Sequence, residues 1–388
     1  MSRLTDLIAE LCPDGVEYRA LGDVAELKRG EAVTRKEVVE GQVPVIAGGR
    51  EPAYYIDRSN RQGETIVIAG SGAYAGFVSF WDEPIFVSDA FSIVVDRSIL
   101  QPRFVYHWLS GRQEAIHALK SGGGVPHVYP KDVAKLRCPV PPLEVQREIV
   151  RILDQFTTLE AELEAELEAR RTQYEHYRNH LLSYESLAAR GPVNVIELQD
   201  VGVVRMCKRI HKAETSIQGD IPFFKISTFG GTPTSFISAE LYGKYREKYP
   251  YPKKGDLLIS AAGTIGQIVR FDGADAYFQD SNIVWLEHDE SIVLNRYLYY
   301  VYLNTRWTTD GGTIKRLYNN RILQQQICVP PIETQIAISD LLDRFDALVN
   351  DISSGLPAEI AARRAQYEHY RDRLLSFPEK VVSVSDAS

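Results

Sequence analysis

Hydrophobic residues recur along two stretches of the chain in alternating steps of four and three. In the first, Val145, Ile149, Ile152, Phe156, Leu159 and Leu163 form the stripe, and Leu167, Tyr174, Tyr177 and Leu181 continue it after an irregular step. In the second, Ile338, Leu342, Phe345, Val349, Ile352, Leu356, Ile360, Tyr367, Tyr370 and Leu374 repeat the pattern. A seam of this length predicts a coiled-coil helix. Because both stretches carry it, the simplest way to bury both is to pair them antiparallel, over roughly 60 Å for some 40 residues at 1.5 Å rise. The alternative is one face of each helix packed on its own globular neighbour. Four extra residues in the second stretch, near Gly355 and Pro357, predict a stutter with a kink.

The rest of the chain has a different period. Short β-branched runs at 65–69, 91–95, 257–260 and 283–286, set between Gly- and Pro-rich turns, predict strands, while 103–119 and 296–307 predict helices. The fold class is therefore α+β: two globular modules of mixed α/β character, separated by two long antiparallel coiled-coil helices in an internal pseudo-two-fold repeat. The boundaries run as an N-terminal helical segment (1–15), first module (16–140), first long helix (141–192), second module (193–329), second long helix (330–376) and a flexible tail (377–388). The opening segment is placed to do for the first module what the end of the first long helix does for the second.

The repeat is direct in the helices. Pro141-Pro142-Leu143-Glu144-Val145-Gln146 recurs as Pro330-Pro331-Ile332-Glu333-Thr334-Gln335, and the run from Arg170 to Arg178 recurs from Arg363 to Arg371 with one substitution. The modules repeat more faintly: Pro44-Val45 faces Pro222-Phe223, Asp89 faces Asp280, and Gly122-Gly123 faces Gly311-Gly312. Close copies in the helices and divergent modules imply one structural job and two separate specificities.

Composition narrows the function classes. No apolar stretch is long enough to cross a membrane, no signal-peptide core opens the chain, and four scattered cysteines make no CxxC pair, so a cytoplasmic protein is expected. The net charge of −8 is unevenly spread. Residues 16–140 carry 15 basic and 15 acidic side chains and 193–329 carry 16 and 14, whereas 141–192 and 330–388 each carry 6 against 10. The acid lies on the helices, which leaves the modules open to a polyanion. A phosphate-binding GxxxxGK[ST] loop and the Asn-Pro-Pro-aromatic tetrapeptide of amino-group methyltransferases are both missing. Gly70-Ser71-Gly72 reads as a turn after a strand. His176 and His180 have metal spacing, but copy two places Arg373 opposite His180, so no metal is expected.

Binding features are stronger than catalytic ones. The run 205–212, the Lys/Arg/Tyr run 243–254 and Lys315-Arg316-Leu317-Tyr318-Asn319-Asn320-Arg321 combine phosphate-neutralising cations with side chains suited to base edges. The first module carries thinner equivalents at Lys28-Arg29, Arg58-Ser59-Asn60-Arg61 and His127-Val128-Tyr129-Pro130-Lys131. Each cluster alone is equally compatible with ordinary solvated charge.

The layout resembles the specificity subunit of type I restriction–modification systems. The resemblance rests on the run 7–18 leading into Leu21-Gly22-Asp23-Val24, the doubled Pro-Pro-Leu/Ile-Glu-x-Gln helix start, and the Ile259-Ser260-x-x-Gly263-Thr264-Ile265-Gly266 loop. It covers essentially the whole chain. It implies a non-catalytic reader of duplex DNA in which each target-recognition module takes half of an asymmetric bipartite site and the helices set the gap. It also implies two methyltransferase subunits and motor-nuclease subunits as partners, with S-adenosylmethionine, ATP and Mg confined to them. On this reading the DNA face of module one holds Lys28, Arg29, Arg58, Asn60, Arg61, Ser71, Tyr74, His127, Tyr129 and Lys131. That of module two holds Lys208, Arg209, Lys225, Ser227, Tyr245, Arg246, Lys248, Thr264, Lys315, Arg316, Tyr318, Asn319, Asn320 and Arg321. Gly70-Ser71-Gly72-Ala73-Tyr74-Ala75-Gly76 stands where module two keeps Gly263-Thr264-Ile265-Gly266, which implies a different approach to DNA. A protein-binding scaffold with tandem modules on a coiled-coil spacer is the other reading, and a self-sufficient modification enzyme is disfavoured by the missing tetrapeptide.

Overall fold

The computed structural model describes residues 2–33, 39–122, 124–309, 315–351 and 353–380. The short apolar runs become strands, and side-chain alternation decides which core each residue joins. The first module holds β1 (Glu17–Ala20), β2 (Ala25–Arg29), β3 (Val43–Ile46), β4 (Tyr55–Ile56), β5 (Thr65–Ala69), β6 (Val78–Trp81), β7 (Phe86–Val87), β8 (Ala90–Val95) and β9 (Arg137–Val140). An antiparallel sheet runs β2-β8-β5-β6, a smaller sheet runs β4-β3-β7 with β3 and β7 parallel, and β1 clasps β9. Every residue of β5 is buried. Ile66 and Ile68 enter the main core with Phe104 and Trp108 of helix Pro102–Ser110, while Val67 on the other face joins Ile46 and Val87 under the small sheet.

The second module repeats this plan with β10 (Asn194–Glu197), β11 (Gly202–Arg205), β12 (Ile221–Phe224), β13 (Phe236–Ile237), β14 (Leu257–Ser260), β15 (Ile268–Arg270), β16 (Tyr277–Phe278), β17 (Ile283–His288) and β18 (Gln326–Val329). The sheet orders are β11-β17-β14-β15 and β13-β12-β16, with β12 and β16 parallel and β10 clasping β18. Main-chain hydrogen bonds fix the correspondence. Gly70 N donates to the Asp89 carbonyl at 3.1 Å as Ala261 N donates to that of Asn282 at 2.7 Å. Asp89 therefore corresponds to Asn282 and not to Asp280, because two extra residues precede Asn282 on the way into β17. Pro44-Val45 and Pro222-Phe223 do match, since Val45 pairs with Phe86 and Phe223 with Tyr277. Gly123 and Gly311-Gly312 lie outside the described residues. The helix expected at 103–119 divides into Pro102–Ser110 and Gln113–Ala118 around Gly111, and the one at 296–307 is Asn295–Asn304.

The doubled Pro-Pro-Leu/Ile-Glu-x-Gln start has a structural cause. Gln146 is 0% exposed, accepts from Gln101 N at 2.8 Å, and donates to the carbonyls of Ile99 and Pro141, both at 2.8 Å. Gln335, also 0% exposed, accepts from Leu294 N at 3.0 Å and donates to the carbonyls of Ile292 and Pro330, both at 2.9 Å. Each amide satisfies three backbone groups at the entry to the module's own helix, two of them otherwise orphaned next to a helix end.

The chain forms two compact units, Met1–Ala165 with Glu359–Ser388, and Glu166–Ala358. Each contains one module, the start of one long helix and the end of the other. In the first, Val145, Ile149, Ile152 and Leu153 are buried in the module core. Farther along, Phe156 stacks on Tyr370 at 5.4 Å and Arg364 pairs with Glu160 and Glu164, an antiparallel arrangement. In the second unit Ile338, Leu342 and Val349 are buried with Tyr174 and Leu181, Tyr177 stacks on Phe345 at 5.7 Å, and Tyr174 OH donates to Asp346 at 3.2 Å. The heptad stripe thus serves two surfaces in turn, the helix's own module first and the opposing helix afterwards. Leu159 is exposed and Ile352 lies outside the described residues.

The first long helix is continuous over Leu143–Leu181, but the second is two helices, Ile332–Asn350 and Leu356–Leu374, rather than one kinked element over 330–376. Asp351 accepts from Ser353 N at 2.7 Å and from the Ser353 and Ser354 hydroxyls, and Gly355 N donates to the Asp351 carbonyl at 2.9 Å. A Cβ on Gly355 would lie 2.5 Å from the Ala347 carbonyl oxygen, so the chain recrosses the end of the preceding helix where only glycine fits. Pro357 then falls in the first turn, where a missing N–H costs nothing.

The C-terminal residues also differ from the expected flexible tail at 377–388. Phe377 is buried, Val16 N donates to the Pro378 carbonyl and Lys380 N to the Val16 carbonyl, both at 2.9 Å, and Arg137 pairs with Glu379 at 2.6 Å. Residues 377–380 are therefore part of the first unit, and 381–388 lie outside the described residues. Helix Ser2–Leu11 contributes Leu4 to the same core as Leu374 and Leu375.

One polar contact differs between the repeats. His107, fully buried, bonds Asp154 through Nε2 and the Tyr367 hydroxyl through Nδ1, both at 2.8 Å, with Arg103 on Asp154 at 2.7 Å. Its counterpart Tyr300 donates to Asp343, which also pairs with Arg296. Burial pushes His107 below its ordinary pKa against the opposing pull of Asp154, and Arg103 and Arg371 push it further down. The unfolded chain therefore binds a proton that the folded one refuses, so stability rises with pH through the range around 6.5. His107→Tyr is expected to flatten the fall in urea midpoint between pH 7 and pH 5; an unchanged slope would remove His107 from that account. Gln146→Ala or Gln335→Ala is expected to cost about 3 kcal/mol by urea unfolding, since three buried backbone groups lose their partner. A loss under about 1 kcal/mol would show that the glutamines do not hold the helices to the modules.

Candidate nucleic-acid interface

In module one the ends of β2 and β5, the start of β8 and the segment before β9 meet around a recess of about 390 Å³ lined by Arg29, Gly70, Asp89, His127 and Tyr129. The loop after β5 makes this possible. Gly72 and Gly76 have φ of 83° and 86°, values that a side chain rarely tolerates, and Gly76 N closes the loop onto the Ala69 carbonyl at 2.7 Å. Ser71 donates to the Asp89 carboxylate, and Gly72 N donates to the Pro126 carbonyl at 3.0 Å, drawing the His127 segment alongside. His127 stacks on Tyr129 at 6.0 Å, and the Lys131 ammonium lies 5.6 Å from the Tyr129 ring. Tyr74 stands exposed with the Arg50 guanidinium 5.0 Å from its ring. Arg50 was not legible as a site residue, because it is an isolated cation in sequence that only the fold brings to this loop. Lys28 ends the same strand as Arg29 and pairs with Glu26 at 3.0 Å.

In module two a recess of about 360 Å³ at the turn leading into β17 is lined by Arg209, Lys225, Asp280, Ser281 and Asn282. Gly263 and Gly266, with φ of 65° and 80°, form the same loop one residue shorter, and Gly266 N donates to the Ser260 carbonyl at 2.9 Å. The different loop expected at 70–76 is thus a one-residue insertion that raises Tyr74 where module two has the exposed Thr264. Leu317 N donates to the Ala261 carbonyl at 2.9 Å as Val128 N does to that of Gly70 at 3.0 Å, so Arg316 corresponds to His127 and Tyr318 to Tyr129. Arg316 donates to the Ser281 carbonyl at 2.9 Å and to Asn282 Oδ1 at 3.3 Å. Ser281 has a φ of 55°, a left-handed conformation of about 1 kcal/mol or more in cost, held at the rim of the recess. Asn319, Asn320 and Arg321 form the first turn of the short helix Asn319–Leu323, with Tyr318 at its N-cap, and Lys315 precedes Arg316. Ser227 follows Ile226, which packs against Gly263.

Other predicted residues serve the fold. Both ends of the Asn60 amide bind Val87, donating to its carbonyl at 2.9 Å and accepting from its N–H at 2.7 Å. Arg61 donates to Ser92 Oγ at 2.7 Å and to the carbonyls of Asn60 and Arg29. These two staple the small sheet to the large one and do not line the recess; Arg58, exposed, sits over Phe86 at 5.7 Å. In module two Tyr245, Arg246 and Lys248 lie on helix Ala239–Lys248, which has no counterpart among the described residues of module one. Tyr245 packs on Tyr249 and Tyr277, and Arg246 is held by Tyr242 OH at 3.2 Å and Asp275 at 3.4 Å. Lys208 and Lys248 flank the Tyr249 ring at 5.2 and 5.9 Å, next to Arg209, which pairs with Asp280 at 2.8 Å. Lys225 donates to Ser235 at 2.7 Å.

Burial pushes the Cys138 and Cys207 thiols up to about 12, far from the thiolate form at neutral pH. Among the described residues no group of three or more His, Cys, Asp or Glu could hold a metal ion, and no helix is long and apolar enough to cross a membrane. Cations, ring faces and amides around a recess suit phosphates and base edges.

Two modules of one fold, each presenting a recess lined by cationic and polar side chains and joined through a long helix, define a tandem DNA-recognition protein. The sequence profile of the type I restriction modification DNA specificity domain matches residues 13–169 and 191–362. A relative from Haemophilus influenzae, named as a type I restriction enzyme specificity subunit, is 41% identical over 387 residues, covering 93% of this chain and 96% of that one. The specificity subunit of the Escherichia coli type I restriction enzyme EcoR124I/EcoR124II is 31% identical over 304 residues, 71% of each chain. Among solved structures, the S subunit of a type I restriction–modification system from M. genitalium superposes with a TM-score of 0.58 at 18% identity, over 93% of this chain and 96% of that one. The chain belongs to the type I restriction–modification DNA specificity family.

Asn60→Ala is expected to lower the stability of the first unit by about 2 kcal/mol through the unpaired Val87 groups, while the folded fraction keeps its DNA affinity. Weaker binding at full folding, measured by fluorescence anisotropy on duplex DNA, would return Asn60 to the interface.

Proposed function

We propose that this chain is the sequence-reading, non-catalytic subunit of a type I restriction–modification complex, with each module reading one half of an asymmetric bipartite site in duplex DNA. The observation that carries this reading is the pair of recesses: each lies at the turn into the corresponding strand, β8 or β17, yet Arg29, Asp89, His127 and Tyr129 line one and Arg209, Lys225, Asp280 and Asn282 the other. One scaffold with two linings is what two different half-sites require. In this reading the long helices set the gap between the half-sites, and half-sites about 34 Å apart on one face of the duplex suit it. The acidic helices serve as the docking surface for two methyltransferase subunits, which bind S-adenosylmethionine and methylate adenine; motor-nuclease subunits use ATP and Mg. None of these cofactors belongs to this chain, and a DNA partner of this kind locates the complex in the cytoplasm. No observation favours a protein-only scaffold.

The test is the methylome of a host expressing this chain with its methyltransferase subunit. A split adenine motif that vanishes without this chain is expected; no motif, or one independent of this chain, overturns the reading. On duplex DNA carrying that motif, Lys208→Ala with Lys315→Ala is expected to reduce the slope of log affinity against log salt by about 2, one phosphate contact each. An unchanged slope would remove both from the backbone-contacting surface.

A further inference from the structure

We propose that Asp89 is a specificity-determining residue of module one, and that its carboxylate reads the exocyclic amino group of a cytosine in the major groove. This rests on the reading of module one as a DNA half-site reader.

The two recesses differ most in their acid. In module two Asp280 is neutralised by Arg209 at 2.8 Å, and its side chain is only 16% exposed. Asp89 is exposed, lines the recess beside Arg29, His127 and Tyr129, and has no cationic partner among the described residues. Its side-chain bond there is the one received from Ser71, and a carboxylate accepts at about four lone-pair positions, so most of its acceptor capacity faces the recess. The register that matches Asp89 with Asn282 makes the contrast sharper, because module two places an amide, already held by Arg316, where module one places a charge.

A bare carboxylate in this position repels every phosphate near it and lowers affinity for all DNA alike. It is compensated only where a base offers a donor. Guanine presents O6 and N7, and thymine presents O4; all three are acceptors and repel it. Adenine offers N6–H but sets the N7 lone pair beside it. Cytosine offers N4–H₂ with no neighbouring major-groove acceptor of its own, and is the base that an acceptor-only side chain selects. Ser71 orients the carboxylate, and Arg29 offsets the repulsion without closing on it.

The experiment compares the methylome of the wild-type complex with that of Asp89→Asn, an isosteric change that still accepts the Ser71 bond. The expected result is relaxation at one G·C position of the half-site read by module one, with discrimination there falling at least about fivefold, and the other half unchanged. An identical motif from the variant overturns the proposal while leaving the two-module reading intact. A wild-type complex without a bipartite motif overturns both. If the variant complex is inactive, the wild-type complex is titrated with duplexes in which each cytosine of that half-site in turn is replaced by 2-pyrimidinone, which lacks the amino group. Loss of affinity at one position supports the assignment. Uniform affinity, or a half-site without any G·C pair, overturns it.

Discussion

In both units a glutamine with no access to solvent joins the long helix to the module, and the rest of each unit is arranged around that joint. Gln146 and Gln335 each bind the carbonyl three residues before the module's helix begins, the N–H at its edge, and a carbonyl of the Pro-Pro pair behind them. A buried amide leaves little freedom, since any rotation strands a donor or an acceptor in an apolar core. The first turns of the long helix are therefore held at a fixed pose on the module. The apolar stripe that follows, Val145, Ile149 and Ile152 or Ile338 and Leu342, sinks into the core as a consequence. The same joint orients the loops at the recess with respect to the helix, because helix, sheet and loops share one core.

From this shared frame the two modules diverge only where divergence is cheap. The glycines at 72, 76, 263 and 266 keep the same left-handed turns, while the residues between them change in number and kind. The Tyr129 and Tyr318 positions are kept, whereas His127 becomes Arg316 and Asp89 becomes Asn282. Module two adds helix Ala239–Lys248 and a strained Ser281; module one adds a residue to the loop and leaves a carboxylate uncovered. A packed core penalises such changes and an exposed loop does not, which explains how one architecture carries two linings.

Much of this was legible in the chain. The heptad stripes, the doubled helix start and the apolar runs announced two modules and two long helices, because burial period is a local property of sequence. Among candidate site residues, Arg29, His127, Tyr129, Arg209, Lys225 and Arg316 do meet at the recesses. Asn60 and Arg61 looked the same in sequence and turned out to staple sheets together. Arg50 passed unnoticed as an isolated cation, and Asp89 was matched to Asp280 instead of Asn282 and not placed at the DNA face.

The division has a physical reason. Periodicity, charge segregation and the spacing of Gly and Pro follow from what each element must bury or turn, so sequence alone determined the α+β class, the duplication, the two long helical stretches and the concentration of acid on them. Whether an Asn or Arg faces solvent or satisfies a backbone group depends on strands distant in sequence. The break at Gly355 depends on a carbonyl of the preceding helix, and the capture of Phe377 on a core begun at Leu4. Those outcomes are set by long-range packing and hydrogen bonding, and only the tertiary structure decided them.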